Sequence, residues 1–359
     1  MTIRYALASA LALAALAARA DGPTTNFSGT AFVDFTYRQN EDNGTSAAAD
    51  KANGTAFDIK RFYLTVDHTF DEVWAARFRT DIGNETNGKY DVFVKNAYLQ
   101  ATVAPELVLR AGAADLPWFP FLESQYGFRF IENVLDDRVK FGTSADWGLH
   151  AGGKLADGVA NYALSVVNGL GYSNPTRTRG PTVEGRVAVN PLKELTIAVA
   201  AQDGTLGQDV VGTKVYHDAT RYDAVVAWVG GGLRLGVSGM LADNYYTSIV
   251  TSNTAKTDSS LGVSGWASYA FDPITILGRY DYFKPHKDTN SALKEQYFNL
   301  GLDYKAGKPV DIALVFKHDQ VNAGSIAGQV VTSNGTIGSV KANNSGTYQE
   351  FGLWGQYVF

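Results

Sequence analysis

The 359-residue sequence has no cysteine, two methionines, ten prolines and five histidines. Without cysteine there is no disulfide staple, thiol nucleophile or thiolate metal site. Beyond the first twenty residues no uncharged apolar run approaches the ~20 residues that a helix needs to cross ~30 Å of hydrocarbon. No helix in the body of the chain is therefore expected to span a membrane. An excess of positive charge is also missing, with 31 Lys and Arg against 36 Asp and Glu, a net charge of −5. A nucleic-acid partner, which needs a basic face, is not expected.

Glycine (37), tyrosine (19) and phenylalanine (19) are abundant. The length admits two or three soluble domains or one large closed sheet, and this composition points to the sheet. The first residues stand apart. Arg4 gives a positive start, Ala6 to Ala17 is apolar, and Ala18-Arg19-Ala20 fits a small-residue cleavage site. Residues 1–20 are accordingly read as a secretory signal peptide and 21–359 as the mature body.

That body has a period of two. Ala31, Val33, Phe35 and Tyr37 alternate with Asp34 and Thr36, and Trp74, Ala76, Phe78 and Ile82 alternate with Arg77, Arg79 and Asp81. Leu233, Leu235 and Val237 alternate with Arg234 and Ser238, and Ile312, Leu314 and Phe316 with Asp311 and Lys317. Successive strand side chains point to opposite faces, so each segment has one apolar and one polar face.

A soluble sandwich shares that alternation, and the connections decide between the two. Tight turns are expected at Thr69 to Glu72, Ala104 to Glu106, Ala156 to Gly158, Pro191 to Glu194, Gly230-Gly231, Phe271 to Pro273 and Ala306 to Lys308. Longer polar stretches fall near 39–55, 83–91, 115–145, 169–182, 204–218, 244–258, 284–294 and 320–346. Eight long loops alternating with seven short turns make sixteen antiparallel strands with both chain ends on the turn side. The expected fold is all-β, a transmembrane antiparallel β-barrel of 16 strands with long extracellular loops and short periplasmic turns. In lipid an unpaired backbone group costs several kcal/mol, so the sheet must close. Phe351, Leu353, Gly355, Tyr357 and Phe359 share one face of the last strand, an aromatic ending typical of outer-membrane barrels. Trp74, Tyr222, Trp228, Tyr269, Phe271, Tyr280, Tyr282 and Tyr304 suit interfacial girdles.

Several short motifs resemble one family. Phe57-Asp58-Ile59-Lys60-Arg61-Phe62-Tyr63-Leu64 resembles the F-x-I/V-R-R-x-x-L strand of the phosphate- and polyphosphate-selective porins. Lys95-Asn96-Ala97-Tyr98-Leu99 resembles their R-D-A-Y-L strand, and Leu109-Arg110-Ala111-Gly112 followed by Pro117 their L-R-V-G-Q-F-K-x-P segment. Ser144-Ala145-Asp146-Trp147-Gly148 with Gly152 is similar to S-x-D-x-G-x-x-x-G. Asn168-Gly169 and Gly185-Arg186-Val187 to Pro191 are similar to later strands, and the likeness fades after about residue 200. The resemblance implies a homotrimeric sixteen-stranded pore in the bacterial outer membrane, amid lipid and lipopolysaccharide, with the third loop, 115–145, folded inward. Where the family often has Gln-Phe-Lys, this chain has Ala113-Ala114-Asp115, which weakens the case for phosphate in particular.

The expected function is passive diffusion of small hydrophilic solutes, such as phosphate and other anions, with no catalysis, cofactor or metal. Arg61, Arg77, Arg79, Lys95 and Arg110 fall on the polar face of neighbouring strands as a basic stripe. The plainer reading pairs them across strands with Asp58, Asp67 and Asp81. Opposite would stand the third loop with Asp115, Glu123, Arg129, Glu132, Asp136, Asp137, Arg138 and Lys140, setting up a transverse field. A short helical turn is expected within Ile131 to Val139. The loop also carries Trp118, Phe119, Phe121, Tyr126, Phe128 and Phe130. These either guide sugar rings, making the alternative a carbohydrate-conducting pore, or anchor the loop. A barrel enzyme is the remote alternative: His68, His150, His217, His286 and His318 are scattered and lie in no nucleophile motif.

Overall fold

The computed structural model describes residues 22–42, 45–46, 53–84, 90–178, 180–206, 218–245, 258–288, 291–322 and 346–359. The expected signal peptide, 1–20, lies outside them. The described residues form sixteen long strands and one short ladder piece, Thr45–Ser46. In chain order the long strands are β1 Thr24–Asp42, β2 Gly54–Thr69, β3 Trp74–Asn84 and β4 Tyr90–Ala104. β5 Leu107–Asp115, β6 Ala145–Leu155, β7 Ala160–Val167 and β8 Thr182–Leu192 follow. Then come β9 Leu195–Gly204, β10 Ala219–Gly230, β11 Leu233–Asp243 and β12 Ser259–Phe271. β13 Ile274–Lys284, β14 Lys294–Gly307, β15 Val310–Asn322 and β16 Gly346–Val358 complete the sheet.

Each strand pairs antiparallel with its sequence neighbours, and β1 pairs with β16 to close the sheet. At the seam the Gly29 amide donates to the Phe359 carbonyl at 2.8 Å and the Phe359 amide returns the bond at 3.1 Å. The last residue is thereby part of the ladder. Closure removes the edges that lipid cannot solvate. All seven expected turns fall between paired strands, with the start of β1 and the end of β16 on their side.

Outward positions are apolar and exposed: Val33, Phe35, Phe57, Leu149, Val199, Leu235, Ile276, Leu300 and Phe351 are examples. Six of the expected girdle aromatics, Trp74, Tyr222, Tyr269, Phe271, Tyr280 and Tyr304, are exposed on that face. No helix of the described residues is long and apolar enough to cross a membrane, so spanning falls to the strands. Inward positions are mostly polar, and two bulges enrich them. The β1–β2 register shifts between Phe32 and Val33, leaving Lys60 as the extra residue, and the β3–β4 register shifts between Arg79 and Thr80, leaving Lys95. A bulge turns two consecutive side chains to one face. That is how Lys60 joins Arg61 inside, and Lys95 joins Asn96.

Residues 116–144, between β5 and β6, form a long connection that packs into the barrel. It holds helices α1 Phe119–Tyr126 and α2 Leu135–Arg138. α2 lies inside the expected helical turn, whereas α1 was not expected. Its signals were a proline in the first turn, Pro120, and Gly127 just past the end with φ 83°. That asymmetry is characteristic of helix ends. Trp118, Phe119, Leu122, Tyr126, Phe130 and Ile131 pack with Trp266, Leu277 and Trp354 of the strands into a buried cluster inside the barrel.

Candidate functional site

The interior has two unlike walls. Along β8–β15 the inward-facing cations hold the 116–144 segment. Arg186 Nε donates to the Pro117 carbonyl at 2.9 Å, and Arg234 Nη1 donates to those of Ser124 and Gln125 at 2.8 and 2.6 Å. Arg279 Nη1 reaches the Asn133 carbonyl at 2.5 Å, Lys317 Nζ that of Ile131 at 2.7 Å, and Arg221 that of Phe141. An irregular segment inside a barrel has carbonyls with no ladder partner, and buried carbonyls must be satisfied. Charged donors do this with bonds about twice as strong as neutral ones. Gly127 permits one contact directly, since a Cβ there would meet Arg234 Cζ at 2.7 Å.

Carboxylates on the same wall complete the network. Arg221 meets Asp223 at 2.8 Å and Glu184 at 3.1 Å, while Glu184 also accepts the Trp118 amide at 2.8 Å. From the segment, Arg138 inserts between Asp281 (3.2 Å), Glu295 (2.5 Å) and Asp319 (3.4 Å). These carboxylates keep its guanidinium charged against a large desolvation cost. Glu132 pairs with Lys317 at 3.1 Å, and Asp136 accepts from Trp118 Nε1 at 2.8 Å. Glu132, Asp136 and Arg138 were expected to face the basic stripe. They are instead buried, Glu132 and Arg138 against partners on the strands that hold the segment and Asp136 against Trp118 of the segment itself.

The aromatic run has a similar fate. Trp118, Phe119, Tyr126, Phe128 and Phe130 are buried. Arg221 lies over the Phe119 ring at 4.9 Å, Arg186 over Phe121 at 3.9 Å and Arg279 over Tyr126 at 4.9 Å. These rings anchor the segment, so they present no continuous face for sugar stacking.

The stripe of β2–β5 divides in two. Arg61 is paired with Asp81 at 2.8 Å, and Arg77 grips Asp67 with two bonds of 2.6 and 2.9 Å. Asp58, also foreseen as a partner, binds Lys60 at 2.6 Å. The other three cations form no ion pair among the described residues, although Asp115 and Asp81 act on Lys95 from farther off. Arg79 donates to Thr65 Oγ1 at 2.8 Å, and Arg110 to Gln100 Oε1 at 2.8 Å. Lys95 lies over the rings of Tyr63 and Tyr172 at 4.8 and 5.5 Å.

Between this wall and the segment lies a cavity of about 350 Å³, with Thr65, Arg79, Lys95, Asp115, Glu123 and Arg129 among its lining. Asp115 there accepts from Asn96 at 3.0 Å. Arg129 joins Glu123 at 2.5 Å and Asp137 at 3.7 Å, so the segment's charges beside the cavity are largely matched. Lys140 is exposed at the segment's end. Burial, opposed by Arg129, raises the Glu123 carboxyl above the usual glutamate range.

The histidines form no catalytic array among the described residues. His150 is held by Ser165 Oγ at 2.8 Å and the Gly112 carbonyl at 3.3 Å, both neutral, and His68 by Thr25 at 2.8 Å. His217 lies outside the described residues. Of the holding residues Arg186, Arg221, Arg234, Arg279 and Lys317, the sequence placed Arg186 in a motif and Arg234 and Lys317 on polar faces but assigned none of them a role. Four of them lie past residue 200, where motif likeness ends, although each stands alone on an alternating polar face.

Comparison with known proteins agrees with this geometry. Residues 6–325 match the family model described as Gram-negative porin. No curated protein matches the chain by sequence. Solved structures do. The anion-selective porin from Comamonas acidovorans is 13% identical, with TM-score 0.66 over 94% of this chain and 100% of that one. The outer membrane channel DcaP of Acinetobacter baumannii is 12% identical, TM-score 0.62, over 94% and 98%. OmpT of Vibrio cholerae, an outer membrane protein in a trimer form, is 13% identical, TM-score 0.60, over 94% and 100%. At such identity these likenesses speak for the fold, and the family match for the rest. The chain belongs to the Gram-negative porin family, as a sixteen-stranded outer-membrane channel rather than an enzyme.

Proposed function

We propose that this porin passes small hydrophilic anions, inorganic phosphate among them, in preference to cations. One observation carries the reading: beside the passage Arg79, Lys95 and Arg110 form no ion pair among the described residues, three such cations against one such acid, Asp115. The neighbouring carboxylates Asp67, Asp81 and Glu123 each have an arginine. An unpaired charge in a narrow, partly desolvated passage acts on ions far more than a matched pair does. The motifs shared with phosphate-selective porins support the phosphate part, and Asp115 at the cavity argues for anions generally over phosphate alone. The structural neighbour described as anion-selective is in keeping with this reading.

The test is reversal potential in a planar bilayer under a KCl gradient. Chloride preference is expected, and potassium preference unaltered by Arg79→Ala would overturn the proposal. Channel block by phosphate against maltooligosaccharides separates anion from sugar conduction, and block by the sugars alone would favour the carbohydrate reading.

We also infer a homotrimer among lipid and lipopolysaccharide, with 116–144 as the constriction. The family resemblance and the trimer form of Vibrio cholerae OmpT support it. The oligomer mass in detergent, measured by light scattering, is its check, and a monomeric mass would refute it.

A further inference from the structure

A second cavity, of about 330 Å³, lies on the turn side of the segment, between Gly127, Phe128 and Phe130 and the ends of β10–β15. Its polar lining is Arg234, Ser268, Thr275, Asp303, Lys305 and Asp311. Asp303 is 2% exposed, and its Oδ1 is sealed from solvent without a hydrogen-bond donor. No described residue pairs with it. A buried carboxylate without a donor is costly. Elsewhere on this side of the lumen the buried acids meet cations, as Glu184, Asp223, Asp281 and Glu350 do. Asp303 departs from that pattern while lining an open space.

The composition of the space narrows what would fill it. Two acids, Asp303 and Asp311, share it with two bases, Arg234 and Lys305, and none of the four forms an ion pair with another among the described residues. Arg234 is fixed by the Ser124 and Gln125 carbonyls, and Asp311 accepts from Gln356 Nε2 at 3.1 Å. A bare cation would be repelled by the two bases and a bare anion by the two acids. A molecule carrying both charges suits all four. The volume lies at the lower end of the ~300–1,000 Å³ typical of small-molecule sites.

We propose that this cavity is a binding subsite for a small zwitterion, a primary amine that also bears a phosphate or carboxylate. The ammonium sits at Asp303 with the hydroxyls of Thr275 and Ser268, and the anionic end sits toward Lys305 and Arg234. Gln356, which donates to Asp311, lines the neighbouring 350 Å³ cavity, so an occupant here lies beside the conducting path and reduces the current.

Block of single-channel KCl current by phosphoethanolamine tests this, with inorganic phosphate and ethylammonium as separate arms. Phosphoethanolamine is expected to block at about tenfold lower concentration than either, the effect of one added charged hydrogen bond. Asp303→Asn should abolish that advantage and leave phosphate block unchanged. Equal potency of phosphoethanolamine and phosphate on the unaltered channel would overturn the proposal without any variant. So would an advantage that persists in Asp303→Asn, or greater potency of ethylammonium, which would mark a plain cation site. None of these results bears on ion preference under a KCl gradient, so the two readings fail separately.

Discussion

The two sides of the lumen carry similar residue types and use them differently. Along β8–β15 five cations spend their donors on the carbonyls of the 116–144 segment, and three of them, Arg221, Arg279 and Lys317, also meet carboxylates. Along β3–β5, Arg79, Lys95 and Arg110 rest on hydroxyl, ring and amide partners that leave the charge unneutralised. Charge on an inward face is therefore no measure of selectivity. What matters is whether a counter-charge already stands within reach. One wall holds the constricting segment in place, and the other confers the field on passing ions.

The sharpest way to break this contrast is on the holding wall. Arg138→Met keeps the volume and strands three buried carboxylates, Asp281, Glu295 and Asp319. Breaking a buried ion network from one side costs about 3–5 kcal/mol. The thermal unfolding midpoint in detergent should fall. Single-channel conductance should rise about twofold or more as the segment loosens, because conductance follows the open section. A variant with wild-type conductance and stability would show that the network does not hold the segment.

On the other wall the expected change is in ion preference, with conductance little altered. Lys95→Glu reverses an unpaired charge beside the cavity. At an effective dielectric of 20 two charges 4 Å apart interact by about 4 kcal/mol, and by about 1 in water. A reversed sign of the reversal potential under a KCl gradient is expected. Arg79→Ala, which only removes a charge, should lower chloride preference about threefold. An unchanged potential in both would dissolve the distinction between the walls.

Acidification tests the same wall without mutation. Burial raises the Glu123 carboxyl, with Arg129 opposing, so it protonates at a higher pH than an ordinary glutamate near ~4.3. Protonation removes a negative charge facing Arg79 and Lys95. Chloride preference should therefore increase as pH falls through that raised range, and Glu123→Gln should show the stronger preference at all pH values with the dependence gone. A preference that weakens on acidification would contradict the assignment.

The barrel was legible because a lipid face and a water face impose a period of two, and because the turns are short. Thr69 to Glu72 and Gly230-Gly231 could be read as punctuation without any tertiary information. Which cations remain unpaired was not legible. Alternation gives the face of a residue, whereas pairing depends on register, and the bulges at Lys60 and Lys95 shift the register locally. Arg77 and Arg79 are two residues apart on one face, yet one meets Asp67 and the other Thr65 and the Tyr63 ring. The constricting segment was legible in its position and in its second helix. Glu132 was misread because sequence does not reveal that it meets Lys317, 185 residues away.

The smallest predicted effect sharpens the comparison most, since it lies within the basic wall itself. Arg77 and Asp67 form a two-bonded pair whose side chains are 29% and 36% exposed. Such a pair is worth about 0–1 kcal/mol, reduced further by salt. Arg77→Ala frees one carboxylate near the passage, so chloride preference should drop by less than with Arg79→Ala. The double variant Arg77→Ala with Asp67→Asn removes both charges and should restore the wild-type potential, because the pair adds little net field to begin with. Measured together, these potentials show whether Arg77 and Asp67 cancel while Arg79 stands alone. If Arg77→Ala instead matches or exceeds Arg79→Ala, then a paired arginine shapes the field as strongly as an unpaired one, and partner identity does not separate the two kinds of charge.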